Sequence, residues 1–212
     1  MNTRLQVLNA PLDLAEFTRL AAPSPRKPTR WTPPQLTDFA EGTVLSFDQT
    51  LTNTGWAVIC HGGGELLVTS TGMIKPTSGG LTAHEATYVK ALSLGNQIKA
   101  LTRYDFIGNR HTVYERPSVV GRRIDSALIA GNEVYRATNG FCTAVSNRHA
   151  KAVLVGRAGT RADPVTKTHV KEAVERHVTR PAQGDYPWNE HVRDAVMLGL
   201  VHLYDLKHKE HA

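Results

Sequence analysis

Three short β-type runs, TVLSFDQ, TGWAVICH and ELLVTSTGMI, follow one another between Thr43 and Ile74, the last two joined by a turn at Gly62, Gly63 and Gly64. Beyond them, helical and strand patterns alternate. Ala83, Ala86, Val89, Leu92, Leu94, Ile98 and Leu101 recur at helical spacing. HTVYE then reads as a strand, IDSALIAGNEVYRA as a helix and FCTAVSN as a fifth strand, while THVKEAVERHV and EHVRDAVMLGLVHLYDL are two further helices. Strands buried on one face repeat apolar residues at a period of two and amphipathic helices at 3.6, so the two patterns separate cleanly. This order predicts an α/β fold, a mixed five-stranded sheet with helices packed on both faces.

The residues before Thr43 have a different character. PLDLAEFTRLAA carries Leu12, Leu14, Phe17 and Leu20 roughly on one side of a short helix. APSPRKPTRWTPP then places five prolines in thirteen residues, a density incompatible with a helix interior or a central strand. The expected division is an N-terminal arm and proline-rich linker over 1–42 and a folded domain over 43–212. The arm is read as a surface extension, with Arg26, Lys27, Arg30 and Trp31 as the residues a binding role would use.

No apolar run approaches the roughly 20 residues needed to span a bilayer, and the N-terminal stretch is broken by Pro11, Asp13 and Glu16 before a signal-type apolar core can form. Cys60 and Cys142 form no CxxC or zinc-type cluster, which fits two small buried side chains in a reducing compartment. A cytoplasmic protein without membrane association is expected. The formal net charge of +6 is unevenly distributed: residues 116–182 carry twelve Lys/Arg against five Asp/Glu, and the rest of the chain nearly balances. A positive block of this kind either faces solvent or displaces counterions from a polyanion. Its candidate nucleic-acid-binding residues are Arg116, Arg122, Arg123, Arg148, Lys151, Arg157, Arg161 and Lys167.

Chemistry enters where strands end in acids. Asp48 closes the first apolar run and is followed by Thr50, Thr52, Asn53 and Gly55. Glu115 closes HTVYE, with Pro117 two residues on to end a central strand. A carboxylate at the end of a buried strand loses hydration that a cation or hydrogen-bond donors must replace. Either acid alone could equally cap a turn. On neighbouring strands the two could share a divalent ion. The third piece is NEHVRDAVMLGLVHL, in which His191 and Asp194 are three apart and lie on the same side of a helix. Val192, Ala195, Val196 and Gly199 form its sheet-facing seam. Glu190 competes with His191 for the site: it lies about 40° from Asp194 around the helix, against about 60° for His191, and offers a harder oxygen donor for Mg²⁺.

The order of these pieces resembles the RuvC-type Holliday junction resolvases of the RNase H-like superfamily. LSFDQTLTNTGWAVI is similar to their first acidic strand and the turn after it, and VYERPSVVGRR to their second acidic strand with its proline shortly after the glutamate. HAKAVLVGRAGTRADPVTKTHV is similar to the lysine-bearing loop stretch before the penultimate helix, and NEHVRDAVMLGLVHL to the closing helix. The resemblance spans roughly residues 43–206. It implies an RNase H-like fold, Mg²⁺ (or Mn²⁺ in its place) at a site of two ions, and a homodimer that places paired nicks in branched DNA. By motif position, Asp48, Glu115, His191 and Asp194 take the metal-site roles. Lys151 and Lys167 fall on lysines that contact or stabilise the cleaved phosphate. The sequence departs from the family at Gln49 and Thr50, which stand where Pro-Gly is usual, and no aromatic residue closely follows Glu115.

Other readings share parts of this pattern. A nuclease of the same fold acting on flaps, single strands or RNA has the same acids. The sugar kinase and actin superfamily also begins with an acid on a first strand, but it needs a late glycine-rich adenosine motif for which the chain offers only GRAGTR. A non-catalytic nucleic-acid-binding protein on this fold would leave the four polar positions without a purpose.

Overall fold

The structure is a computed structural model, and it describes residues 31–103, 110–117, 124–179 and 187–209. The expected helix around Leu12–Leu20 and the basic residues Arg26, Lys27, Arg30, Arg122 and Arg123 lie outside the described residues. Residues from Pro33 onward form the larger of two units. In the larger unit, residues ahead of the expected boundary at Thr43 are part of the packing. A single 3-10 turn at Leu36–Asp38 leads into Phe39, which is 2% exposed, and Ala40 N–H donates to the Leu203 carbonyl at 3.0 Å.

The sheet is built from β1 (Gly42–Asp48), β2 (Thr54–Gly62), β3 (Glu65–Ile74), β4 (Arg110–Glu115) and β5 (Thr143–Val145). Their order across the sheet is β3-β2-β1-β4-β5, with β1–β2 and β2–β3 antiparallel and β1–β4 and β4–β5 parallel. The sheet is therefore mixed, as the three consecutive β-runs and the later alternation require. Short turns suffice for an antiparallel pair, whereas a parallel pair needs a crossover. The crossover from β3 to β4 contains α1 (Ala83–Arg103), and that from β4 to β5 contains α2 (Ile124–Ala137).

Three more helices follow: α3 (Asn147–Val155), α4 (Lys167–His177) and α5 (Glu190–Lys209). The α3 helix is absent from the sequence reading, which took its residues as part of a loop. Its period is short and ends at Gly156, whose φ of +83° sets the left-handed C-terminal turn. The strand expected over residues 141–147 is shorter, because Phe141 and Cys142 belong to the preceding turn.

The two faces of the sheet carry separate cores. Val44, Ile59, Val68 and Val113 face α3, α4 and α5, while Leu45, Phe47, Val58 and Ile74 face α1 and α2. Alternate residues of β1 thus point to opposite cores, as the strand period demands. From Ala195 to Leu203 every residue of α5 is buried, because the helix is held between the sheet and the other two helices of its face. At Gly199 it lies close against the sheet: a methyl group there would lie 2.5 Å from Ile59 Cδ1. The fold is the RNase H-like architecture expected from the sequence, with helices on both faces.

Candidate active site

β1 and β4 run parallel with Phe47 opposite Tyr114, so Asp48 and Glu115 leave the sheet at the same end. The antiparallel partner of Asp48 is Gly55, and its lack of a side chain decides where α5 begins. A methyl group on Gly55 would lie 2.3 Å from the His191 carbonyl carbon and 2.7 Å from Val192 N. The first turn of α5 therefore rests directly on the backbone of β2 and brings His191 and Asp194 over the two strand ends. The segment before the helix is pinned from several sides. Thr71 Oγ1 donates to the Pro187 carbonyl (3.0 Å), Trp188 Nε1 to Glu175 Oε1 (3.0 Å) and an Arg193 guanidinium nitrogen to the Trp188 carbonyl (2.7 Å). Asn189 caps the helix by accepting from Val192 N–H at 3.1 Å.

His191 Nδ1 donates to Asp48 Oδ2 at 2.7 Å, which leaves Nε2 as the atom free to take a proton or a ligand. This hydrogen bond holds the imidazole pKa above its ordinary value against the opposing effect of burial. Burial and the adjacent Asp48 carboxyl, to which Glu115 is also hydrogen-bonded, push the Glu115 carboxyl up to about 7; a hydrogen bond with the Asn147 side chain opposes this. Burial and Asp48 raise Asp194 to about 6, with Lys151 and His191 pulling the other way. Three carboxyls and an imidazole thus converge where water is scarce, and negative charge is in excess. The start of α5 adds a partial positive charge to the same place.

This donor set has the chemistry of a divalent-cation site: hard oxygen donors, two of which, Glu115 and Asp194, have raised pKa values that a nearby cation would relieve. In the conformation described, the groups satisfy one another, and among the described residues no three His, Cys, Asp or Glu side chains are already gathered into a ligand cluster. Ligation would require Asp48 and Glu115 to exchange their mutual hydrogen bond for the ion.

The other expected residues distribute around this centre. Lys151, on α3, acts electrostatically on Asp194. Lys167, the first residue of α4, is exposed and ion-paired with Glu190. That pairing turns Glu190 outward and lowers its pKa, so the rival to His191 is engaged elsewhere. Arg148 and Arg161 are exposed, and Arg157 is paired with Asp163. Arg116 lines a separate cleft of about 270 Å³ with His149, His202 and Lys209. Three residues that matter to the site's construction were not singled out for it in the sequence: Gly55, Asn147 and Gln49. Gln49 appeared there only as a departure from the family's usual residues, and Gly55 only as part of the turn after Asp48.

No protein-family model matches the chain, and no curated protein matches it. Solved structures do. The chain is similar to RuvC of Thermus thermophilus in complex with a Holliday junction substrate, with a TM-score of 0.61 and 17% identity over 79% of this chain and 96% of that one. A second Thermus thermophilus RuvC structure gives a TM-score of 0.59 at 14% identity, again over 79% of this chain and 96% of that one. The yeast mitochondrial Holliday junction resolvase gives 0.51 at 11% identity, over 83% of this chain and 87% of that one. At such identities the similarity is one of fold, and it extends over nearly the full length of these structures.

Proposed function

We propose that this chain is a divalent-metal-dependent endodeoxyribonuclease that resolves four-way or other branched DNA junctions by phosphodiester hydrolysis. The observation that carries this reading is the convergence of Asp48, Glu115, His191 and Asp194 at one end of a RuvC-type sheet. That one of the similar structures is a resolvase bound to its junction supports branched DNA as the substrate class.

In this reading Asp48, Glu115 and Asp194, with His191 Nε2, would hold one or two Mg²⁺ or Mn²⁺ ions. When bound, such ions lower the pKa of a water nucleophile and neutralise charge on the leaving oxygen. The protein's own groups do the rest. Asp48 orients the His191 ring through Nδ1, which leaves Nε2 to take a proton from the attacking water or to complete the metal site. Lys151 faces Asp194 and supplies positive charge beside the phosphate. Lys167, released from Glu190, can follow the strand at the rim. Paired nicks require two such centres. The apolar side chains exposed on the packed helices α1 and α2, Tyr88, Leu92, Leu128 and Tyr135, support a homodimer formed through that layer.

A cleavage assay with Mg²⁺ or Mn²⁺ on four-way, flap, single-stranded and RNA–DNA substrates tests the proposal. Symmetric nicks in the four-way junction, lost on chelation, are the expected result. Cleavage of flaps, single strands or RNA in preference would assign the same site to a different nuclease. No cleavage of any substrate with either ion would overturn the nuclease reading.

A further inference from the structure

We infer that Gln49 is a positioning residue for Glu115, a side-chain clamp that sets the spacing between the two strand-end carboxylates; this rests on the proposed role of those acids. Parallel strands exchange backbone hydrogen bonds on alternate residues. On the β5 side of β4 it is Arg116 N–H that donates to the Val145 carbonyl, at 2.7 Å. The N–H and C=O of Glu115 itself therefore face β1, which ends at Asp48. There the backbone of β1 turns away, tied into a tight loop by Thr54 Oγ1, which donates to the Thr50 carbonyl (2.8 Å) and accepts from Thr50 N–H (3.0 Å).

The side chain of Gln49 takes the place of the missing strand. Its Nε2 donates to the Glu115 carbonyl at 2.6 Å and its Oε1 accepts from Glu115 N–H at 3.0 Å. A primary amide presents a donor and an acceptor in one plane, as a peptide group does, so it continues the ladder by one step. Gln49 is only 6% exposed, so water does not compete freely for these bonds. Gln49 is also covalently next to Asp48. One residue thus fixes the backbone of Glu115 relative to the backbone of Asp48, from which both carboxyls project toward each other.

Replacement by an apolar residue of similar length separates a clamp from mere filling. In Gln49→Met the volume remains and both hydrogen bonds are lost. The expected result is a fall in kcat on the four-way junction of about tenfold to a hundredfold, the scale on which small misplacements of reacting groups act. KM and junction affinity should change little, and Mn²⁺ affinity of the folded protein should weaken several-fold. Amide hydrogen exchange at Glu115 supplies a readout independent of catalysis, and it is made on the parent protein as well. The clamp predicts protection there, selectively lost in the variant while core amides such as Val113 stay protected. Rapid exchange of the Glu115 amide in the parent overturns the clamp even if Gln49→Met fails to fold. A folded Gln49→Met with kcat and Mn²⁺ affinity within about twofold of the parent overturns the positioning role. A parent protein that binds no Mn²⁺ and cleaves nothing refutes the nuclease reading, while Glu115 exchange still decides whether the clamp exists.

Discussion

Asp48 accepts a hydrogen bond from His191, interacts with Glu115 and raises the pKa of Asp194. It is the residue that interacts with each of the other three. Asp48→Asn keeps the shape and removes the charge a cation needs, so cleavage should be abolished while folding and DNA binding persist. Nicking within a few-fold of the parent would show that the metal-site assignment is wrong. At the start of α5 the competing claims of His191 and Glu190 lead to opposite expectations. His191→Ala should cost about 10²-fold or more, as loss of a general base does, and His191→Asp should recover part of it. Glu190→Gln, which only frees Lys167, should cost little; a dead Glu190→Gln beside an active His191→Ala would reverse the assignment. The acids were legible in the sequence because a carboxylate at the end of an apolar strand is costly without a reason. Rotation around the helix slightly favoured Glu190. It was the position of Lys167, brought close by the fold from another helix, that occupied Glu190, and no sequence spacing encodes that.

The elements were legible to the extent that their apolar periods were long. The β-runs from Thr43 to Ile74, the helix α1 and the buried α5 all stand where their patterns place them. α3 was missed because nine residues give little more than two turns of period, and two of them, Ala150 and Leu154, carry its fully buried face. The contact between α5 and β2 was also hidden, since a glycine in a strand reads as flexibility until something is seen to rest on it. Gly55→Ala makes that contact testable. Its new methyl group would have to displace the His191–Val192 backbone, and overpacking of this kind costs about 1–3 kcal/mol. The variant should fold with a reduced Tm, and it should lose more activity than a Gly62→Ala variant, since nothing lies within 4 Å of a methyl at the end of β2. Full activity in Gly55→Ala would mean that the helix start is not fixed by this approach.

At the scale of the whole molecule, the basic excess and the buried acids govern different observables. The positive stretch of residues 116–182 predicts DNA affinity that falls steeply with salt, with a log–log slope of about 0.9 per phosphate neutralised. Arg148→Glu with Arg161→Glu should weaken binding more than Lys207→Glu with Lys209→Glu, at the last turn of α5. Equal losses would show that the basic stretch is not the DNA face.

The acids instead set how stability responds to pH. Glu115 titrates near 7 in the folded protein against an ordinary value of 4.5, so the folded state holds a proton that the unfolded chain releases earlier. Its contribution to stability is therefore fully present below pH 4.5 and is lost as pH rises to about 7. Asp194, raised from 3.8 to about 6, has the same sign. The shift of Glu115 corresponds to on the order of 3 kcal/mol, shared with its coupled neighbours. His202 acts oppositely, since burial holds it near 4 and it stabilises the fold as pH rises toward 6.5. A comparison with Glu115→Gln cancels that histidine and isolates the site. In the presence of a chelator, Glu115→Gln should be more stable than the parent at pH 8 by about 2–3 kcal/mol in urea melts, and the gap should close toward pH 5. Adding Mn²⁺ at pH 8 should stabilise the parent and leave Glu115→Gln nearly unaffected, because binding to the folded state alone raises stability by mass action. A parent more stable than Glu115→Gln at pH 8 without metal would mean that these acids are paired for structure, not held apart for a cation.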